Sequence, residues 1–220
     1  MEHRRAFLAS VGLAASGALA GCLGRGGGRS ETDLDAHPAA AGATDEPRLG
    51  PPLDEARGVI VAFEDPSCTT CRRFERTTFP RIESDLVGSG EVAFVYRLFP
   101  IVFPWGKPAA QALEATYDRS AEAFWALKAH YYAEQDAFGS GNVLDRTEAF
   151  LARETDVDAA GVVADAREER FDDRVQEDVR AAEEAGASAT PTFYLFRDGA
   201  FLTRAVGAKD YAVFERALGG

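Results

Sequence analysis

Two cysteines stand three residues apart as Cys68-Thr69-Thr70-Cys71. At the start of a helix, two such thiols lie close together on the first turn. The Cys68 sulfur can point toward the free N–H groups and the positive end of the helix dipole, which favours thiolate over thiol. Cys71, one turn further in, is more buried and placed to attack a mixed disulfide. Three chemistries compete for this pair. A zinc site needs about four ligands, and neither a second CxxC nor the spacing of His3, His37 and His130 completes one. A static disulfide closes so short a loop that it constrains the unfolded chain weakly. Redox exchange fits the local context best: Cys68 gives or takes a disulfide, and Cys71 resolves it.

The elements that must position the pair follow from the pattern. Val59 to Phe63 reads as a strand buried on both faces. Asp65-Pro66-Ser67 breaks it, and a helix begins near Cys68, with a kink expected at Pro80. Val92 to Phe99 is a second strand, completing a βαβ unit. Helices follow from Pro108 to Tyr117, Ala121 to Gln135, Thr147 to Arg153 and, as one long element, Ala159 to Ala185. Thr192 to Phe196 and Ala200 to Val206 form a hairpin around Arg197-Asp198-Gly199. Asp210 is expected to cap a last helix through Leu218.

The front of the chain reads as an address. Arg4-Arg5 precede an uncharged stretch from Ala6 to Ala20, shorter than the roughly 20 residues of a membrane span and suited to an export signal of twin-arginine type. Leu19-Ala20-Gly21-Cys22 resembles a lipobox, with Cys22 the lipidated residue. Residues 1–21 are therefore expected to be a signal peptide. Residues 22–52, rich in Gly, Ala, Pro and acids, are expected to be a flexible tether. The folded domain is placed at 53–220.

The composition sets limits. The chain of 220 residues has 24 basic and 36 acidic residues, a formal charge of -12 and 46% apolar residues. A surface of that sign repels nucleic acid. Only Lys107, Lys128 and Lys209 are lysines among the basic residues, and this acid-rich, lysine-poor balance resembles proteins of salt-loving archaea.

From about Leu49 to Leu218 the chain resembles the DsbA-like branch of the thioredoxin superfamily. The resemblance rests on Asp65-Pro66-Ser67-Cys68-Thr69-Thr70-Cys71 after a buried strand, Phe99-Pro100 ending the next, the helical middle, Gly186 to Phe193 with Thr190-Pro191, and the final hairpin and helix. It implies an α/β thioredoxin fold (βαβ–ββα) with an α-helical insert at about 107–186. It also implies a cis bond before Pro191, with Thr190 and Pro191 receiving an extended substrate segment beside Thr69 and Thr70. This chain departs from the pattern at two places. Strongly oxidising members carry a histidine inside the motif, where Thr69-Thr70 stand here. Many carry a buried acid six residues before the first cysteine, where Ala62 stands here. Glu64 and Asp65 are the nearby candidates for that proton relay. Trp105 is a candidate for lining a groove, while Phe99 is expected in the core.

The expected protein is an exported thiol-disulfide oxidoreductase, lipid-anchored through Cys22 to the outer face of the cell membrane. It acts on exported proteins, is reoxidised by a membrane partner, and is monomeric. Its redox group is the cysteine pair, with no further cofactor or metal. The alternatives are an exported reductase or isomerase serving cytochrome or copper-site assembly, and a dithiol metal carrier. The carrier lacks a placed third ligand, since Met1 is the only methionine.

Overall fold

The computed structural model describes residues 33–219. Its centre is a five-stranded sheet in the order β1-β3-β2-β4-β5. β2 (Gly58–Glu64) and β3 (Val92–Leu98) are buried along their whole length, as their Val- and Phe-rich sequences require. They run parallel, with Ala62 opposite Tyr96. β4 (Thr192–Arg197) lies antiparallel on the other side of β2 and pairs with the edge strand β5 (Ala200–Val206). Their hairpin turns at Asp198 and Gly199, both with positive φ, which matches the twist of the strands it joins. The short β1 (Arg48–Leu49) pairs antiparallel with β3.

Alternation along the strands supplies two cores. One face presents Ile60, Ala62, Phe94, Tyr96, Phe193 and Leu195 to the helices that follow β2 and β5 and to the helical insert. The other presents Val59, Val61, Phe63, Tyr194 and Phe196 to Ala181 and Ala182 and to the N-terminal segment. α1 (Thr69–Thr77) connects β2 to β3 and stops at Thr78, whose hydroxyl donates to the Lys209 carbonyl at 2.8 Å. The chain restarts as α2 (Phe79–Arg81), with Pro80 in its first turn, and continues as a wider π-type turn over Ile82–Val87. The insert comprises α3 (Gly106–Tyr117), α4 (Ala121–Ala133), a 3-10 turn at Gln135–Ala137, α5 (Val143–Glu154), α6 (Ala159–Arg167) and α7 (Asp172–Glu184). The chain closes with α8 (Tyr211–Leu218).

Three expectations are corrected. The single helix over 159–185 is two helices. Glu169 takes a left-handed conformation between them, so α6 packs on α3 and α5 while α7 turns to lie along β3. Asp210 occupies the N-cap position of α8, yet its side chain makes no cap bond. The flexible tether does not extend to residue 52, because from residue 33 the chain is folded onto the sheet. Two 3-10 turns, Leu34–Ala36 and Pro38–Ala40, bring Leu34, Ala39 and Ala43 into the second core. The alanines that suggested a linker are small because they lie flat against strands. His37 packs its ring against Tyr194, Phe196 and Phe201 at 5.3, 5.2 and 4.7 Å between centroids.

Arg97 ties this strap to the domain. Wholly buried, it pairs with Asp178 and donates to the carbonyls of Ala39 and Ala41. Glu46 approaches it at 3.5 Å. Replacing it would strand the Asp178 carboxylate inside the protein, a situation worth about 3–5 kcal/mol. We therefore expect Arg97→Met to lower unfolding stability by about 3 kcal/mol or more, read as a fall in the urea midpoint at unchanged slope.

Candidate active site

Cys68 is the N-cap residue of α1, and its backbone N–H donates to the Asp65 carbonyl at 2.9 Å. Its extended φ and ψ turn the side chain back over the first turn, where Sγ accepts the Cys71 N–H at 3.3 Å. The same sulfur lies 3.3 Å from the carbonyl oxygen of Thr190, to which its thiol donates. The Thr190–Pro191 peptide bond is cis and leads directly into β4. Parallel pairing of β2 with β3 and antiparallel pairing with β4 thus bring residues 122 positions apart into contact.

The two sulfurs are set against each other. The Cys68 pKa is lowered to about 6. The Cys71 thiol, placed to donate to it, is the largest cause, and burial opposes it. The Thr190 hydroxyl and the N–H groups of Cys71 and Thr70 add to the lowering. Cys71 is fully buried and pushed well above the usual thiol range, first by burial and then by donating to Cys68. Thr69 is exposed and Thr70 half-buried beside the pair.

Behind Cys71 lies a buried charge group. Glu64 follows Ala62 by two residues, so the Glu64 carboxylate lies on the sheet face that carries Ala62. The Glu64 carboxylate is buried without a hydrogen-bond partner within ordinary distance, and burial raises its pKa well above the usual range. The charge of Glu75 raises it further and that of Lys128 lowers it. Glu75 and Lys128 pair at 2.7 Å, with Lys128 Nζ 3.9 Å from the centroid of the Phe79 ring. Glu75 and Lys128 were not singled out from sequence. The available signal was a lysine among apolar residues on α4, in a chain with only three lysines.

Asp65 does different work from Glu64. Its carboxylate accepts the Ser67 N–H and hydroxyl at 2.7 and 2.6 Å and the Val102 N–H at 2.7 Å. Ser67 Oγ in turn accepts the Phe103 N–H at 3.0 Å. Asp65 is thus a clamp between the turn before Cys68 and the loop after β3. Gly106 completes the fit, because a Cβ there would meet Asp65 Oδ1 at 2.6 Å and Ser67 Oγ at 2.9 Å. The clamped loop holds Ile101, Val102 and Phe103 exposed. Trp105, expected in a groove, is corrected to the core. The turn into α3 points it inward, where it stacks on Phe138 at 5.5 Å. Phe99 is buried. Cys22, Arg4 and Arg5 lie outside the described residues. Among the described residues, no helix is long and apolar enough to cross a membrane.

A cysteine pair at the N-terminus of α1, facing a cis-proline at the head of β4, belongs to one family architecture. The family model described as Thioredoxin matches residues 46–212, and the chain belongs to that family. With its helices inserted between β3 and β4, the domain has the DsbA form of the fold. The chain is similar to Disulfide bond formation protein D of Bacillus subtilis, 24% identical over 168 residues covering 76% of this chain and 75% of that protein. It also matches the Na(+)/H(+) antiporter NhaA 3 of Salinispora tropica, 29% identical over 67% of this chain but only 22% of the antiporter's length. Among solved structures, oxidised BdbD from Bacillus subtilis shares the fold with a TM-score of 0.68 at 23% identity, over 80% of this chain and 94% of that one.

The contrast between the two sulfurs is directly measurable. With its pKa lowered to about 6, Cys68 is mainly thiolate at pH 7. Alkylation of the reduced protein should separate the pair: Cys68 labels with a rate half-maximal near pH 6, while Cys71 reacts only after unfolding. Thr190→Val should shift that midpoint upward.

Proposed function

We propose that this protein is an extracytoplasmic thiol-disulfide oxidoreductase that donates disulfides to exported proteins. The observation that carries the reading is the split between the cysteines: a stabilised thiolate at Cys68 and a suppressed one at Cys71, 3.3 Å from N–H to sulfur. A stabilised Cys68 thiolate favours the reduced form and so makes the disulfide form the better oxidant.

The chemistry follows from the arrangement. A substrate thiolate attacks Cys68 Sγ of the oxidised pair. The Cys68–Cys71 bond breaks, a substrate–Cys68 bond forms, and Cys71 leaves as a thiolate. Glu64, whose buried carboxyl is pushed toward its protonated form, is the proton donor to Cys71. A second substrate thiolate then attacks the substrate sulfur and releases Cys68 as a thiolate. Two electrons have passed from the substrate dithiol to the pair. The redox group is the Cys68–Cys71 pair itself, without a further cofactor. An extended substrate segment lies along Thr190 and Pro191, beside Thr69 and Thr70, with apolar side chains resting on Ile101, Val102 and Phe103.

The address at the front supports the location. Arg4-Arg5, the uncharged stretch from Ala6 to Ala20 and Cys22 are read as an export signal and a lipidation site, which anchor the domain to the outer face of the membrane. Disulfides persist in that compartment. A membrane redox partner reoxidises the pair, and the acid-rich composition suits concentrated salt.

The reduction potential tests the direction. We expect a potential between those of thioredoxin and DsbA, about -270 and -120 mV, when the chain is equilibrated with glutathione. A value at or below the thioredoxin end reverses the reading to a reductase. A pair that exchanges with no disulfide, but binds Cu(I) tightly and stoichiometrically, makes it a metal carrier. Glu64→Gln cannot supply the proton, so Cys71 release should slow on the order of tenfold or more in stopped-flow exchange, with a changed pH profile.

A further inference from the structure

The helical insert reaches into the site at a point outside the roles assigned above. α4 runs into the 3-10 turn Gln135–Ala137, which lies against the start of α1. Gln135 is buried, and its Nε2 donates to the Pro66 carbonyl at 2.7 Å and to the Cys68 carbonyl at 3.1 Å. The next residue, Asp136, pairs with Arg72 at 2.7 Å. Two successive residues of one turn thus grip both sides of the cysteine motif.

The other end of the Gln135 amide is informative. Oε1 is buried and meets no donor. Turned over, that oxygen would face two carbonyl oxygens and both bonds would be lost, so the orientation is set by its surroundings. Buried polar atoms are normally satisfied. A glutamine that leaves its acceptor unmet is in place for its donors.

We infer that Gln135 is a positioning residue for Cys68: its amide locks the Pro66–Cys68 turn and holds the sulfur on the N–H groups at the head of α1. This rests on the redox reading of the cysteine pair. Two physical effects act in the same direction. The Cys68 carbonyl is shared between the Arg72 N–H at 3.0 Å and Gln135, while the Pro66 carbonyl has Gln135 as its donor. Without the amide, the Pro66 carbonyl loses its donor and the Cys68 carbonyl one of its two, leaving the negative ends of both less compensated. The turn is also freed to drift, loosening the 3.3 Å contact from Cys71 N–H to Sγ. Both changes disfavour the thiolate.

The test uses the full chain, reduced, as Gln135→Met and Gln135→Glu. The first removes the donors at similar length. The second is nearly the same shape but turns an acceptor toward the two carbonyls. Thiolate absorbance near 240 nm is followed against pH, and the potential is measured against glutathione. The titration midpoint should rise by half a pH unit or more in Gln135→Met and further in Gln135→Glu. The potential should become more negative in the same order. A role limited to packing would lower the melting temperature and leave the midpoint in place, and that result overturns the inference. Gln135→Glu, closest in shape, decides the matter if Gln135→Met does not fold. Should the unaltered protein exchange no disulfide while the variants still shift the midpoint, the redox reading falls and the positioning role stands.

Discussion

A sulfur anion at the head of a helix is the demand that organises this domain. It needs N–H donors, and α1 supplies them only if Cys68 sits outside the helix as its cap, with Cys71 in the first turn. That placement requires β2 to end just before the motif, so that α1 starts at the edge of the sheet. It also requires β4 to begin beside it, so that Thr190 and the cis peptide meet the same sulfur. The strand order with β2 central, between β3 and β4, meets both requirements.

The remaining groups grade the two thiols. Apolar packing around Cys71 makes its anion unfavourable, and the Glu64–Glu75–Lys128 group places a carboxyl beside it. Glu75 would not tolerate such burial alone, and its counter-charge, Lys128, comes from α4. The insert thus contributes to the electrostatics of a motif nearly sixty residues away in sequence.

The legible parts of the sequence were those with short-range rules. The role of Thr190-Pro191 came from the family resemblance, while the CxxC spacing, the apolar strands and the Asp198-Gly199 turn could be read from neighbours alone. So could the order of elements, although the turn at Glu169 escaped because strong helix formers lie on both sides of it. Illegible were residues whose meaning depends on distant partners. Ala39 and Ala43 look like linker until a strand face lies beneath them. Trp105 looks like a groove residue until α3 turns it onto Phe138. Glu64 and Asp65 are adjacent acids with indistinguishable local chemistry. Strand alternation sends one toward Cys71 and leaves the other bound to the loop after β3. Gln135 is one polar residue among many on a helical insert, and only the folded chain brings it to Pro66.

The strap also gives the domain a polarity. Asp33 bridges to Ala200 and the Leu34 N–H donates to the Gly199 carbonyl, at the hairpin turn. That turn lies at the far end of β4 from Pro191. Strand rise puts the two ends about 20 Å apart. The strap therefore meets the sheet at one pole, and the cysteine pair lies at the other. A load applied at residue 33 meets the hairpin and the Arg97 anchorage before it reaches the cysteine turn.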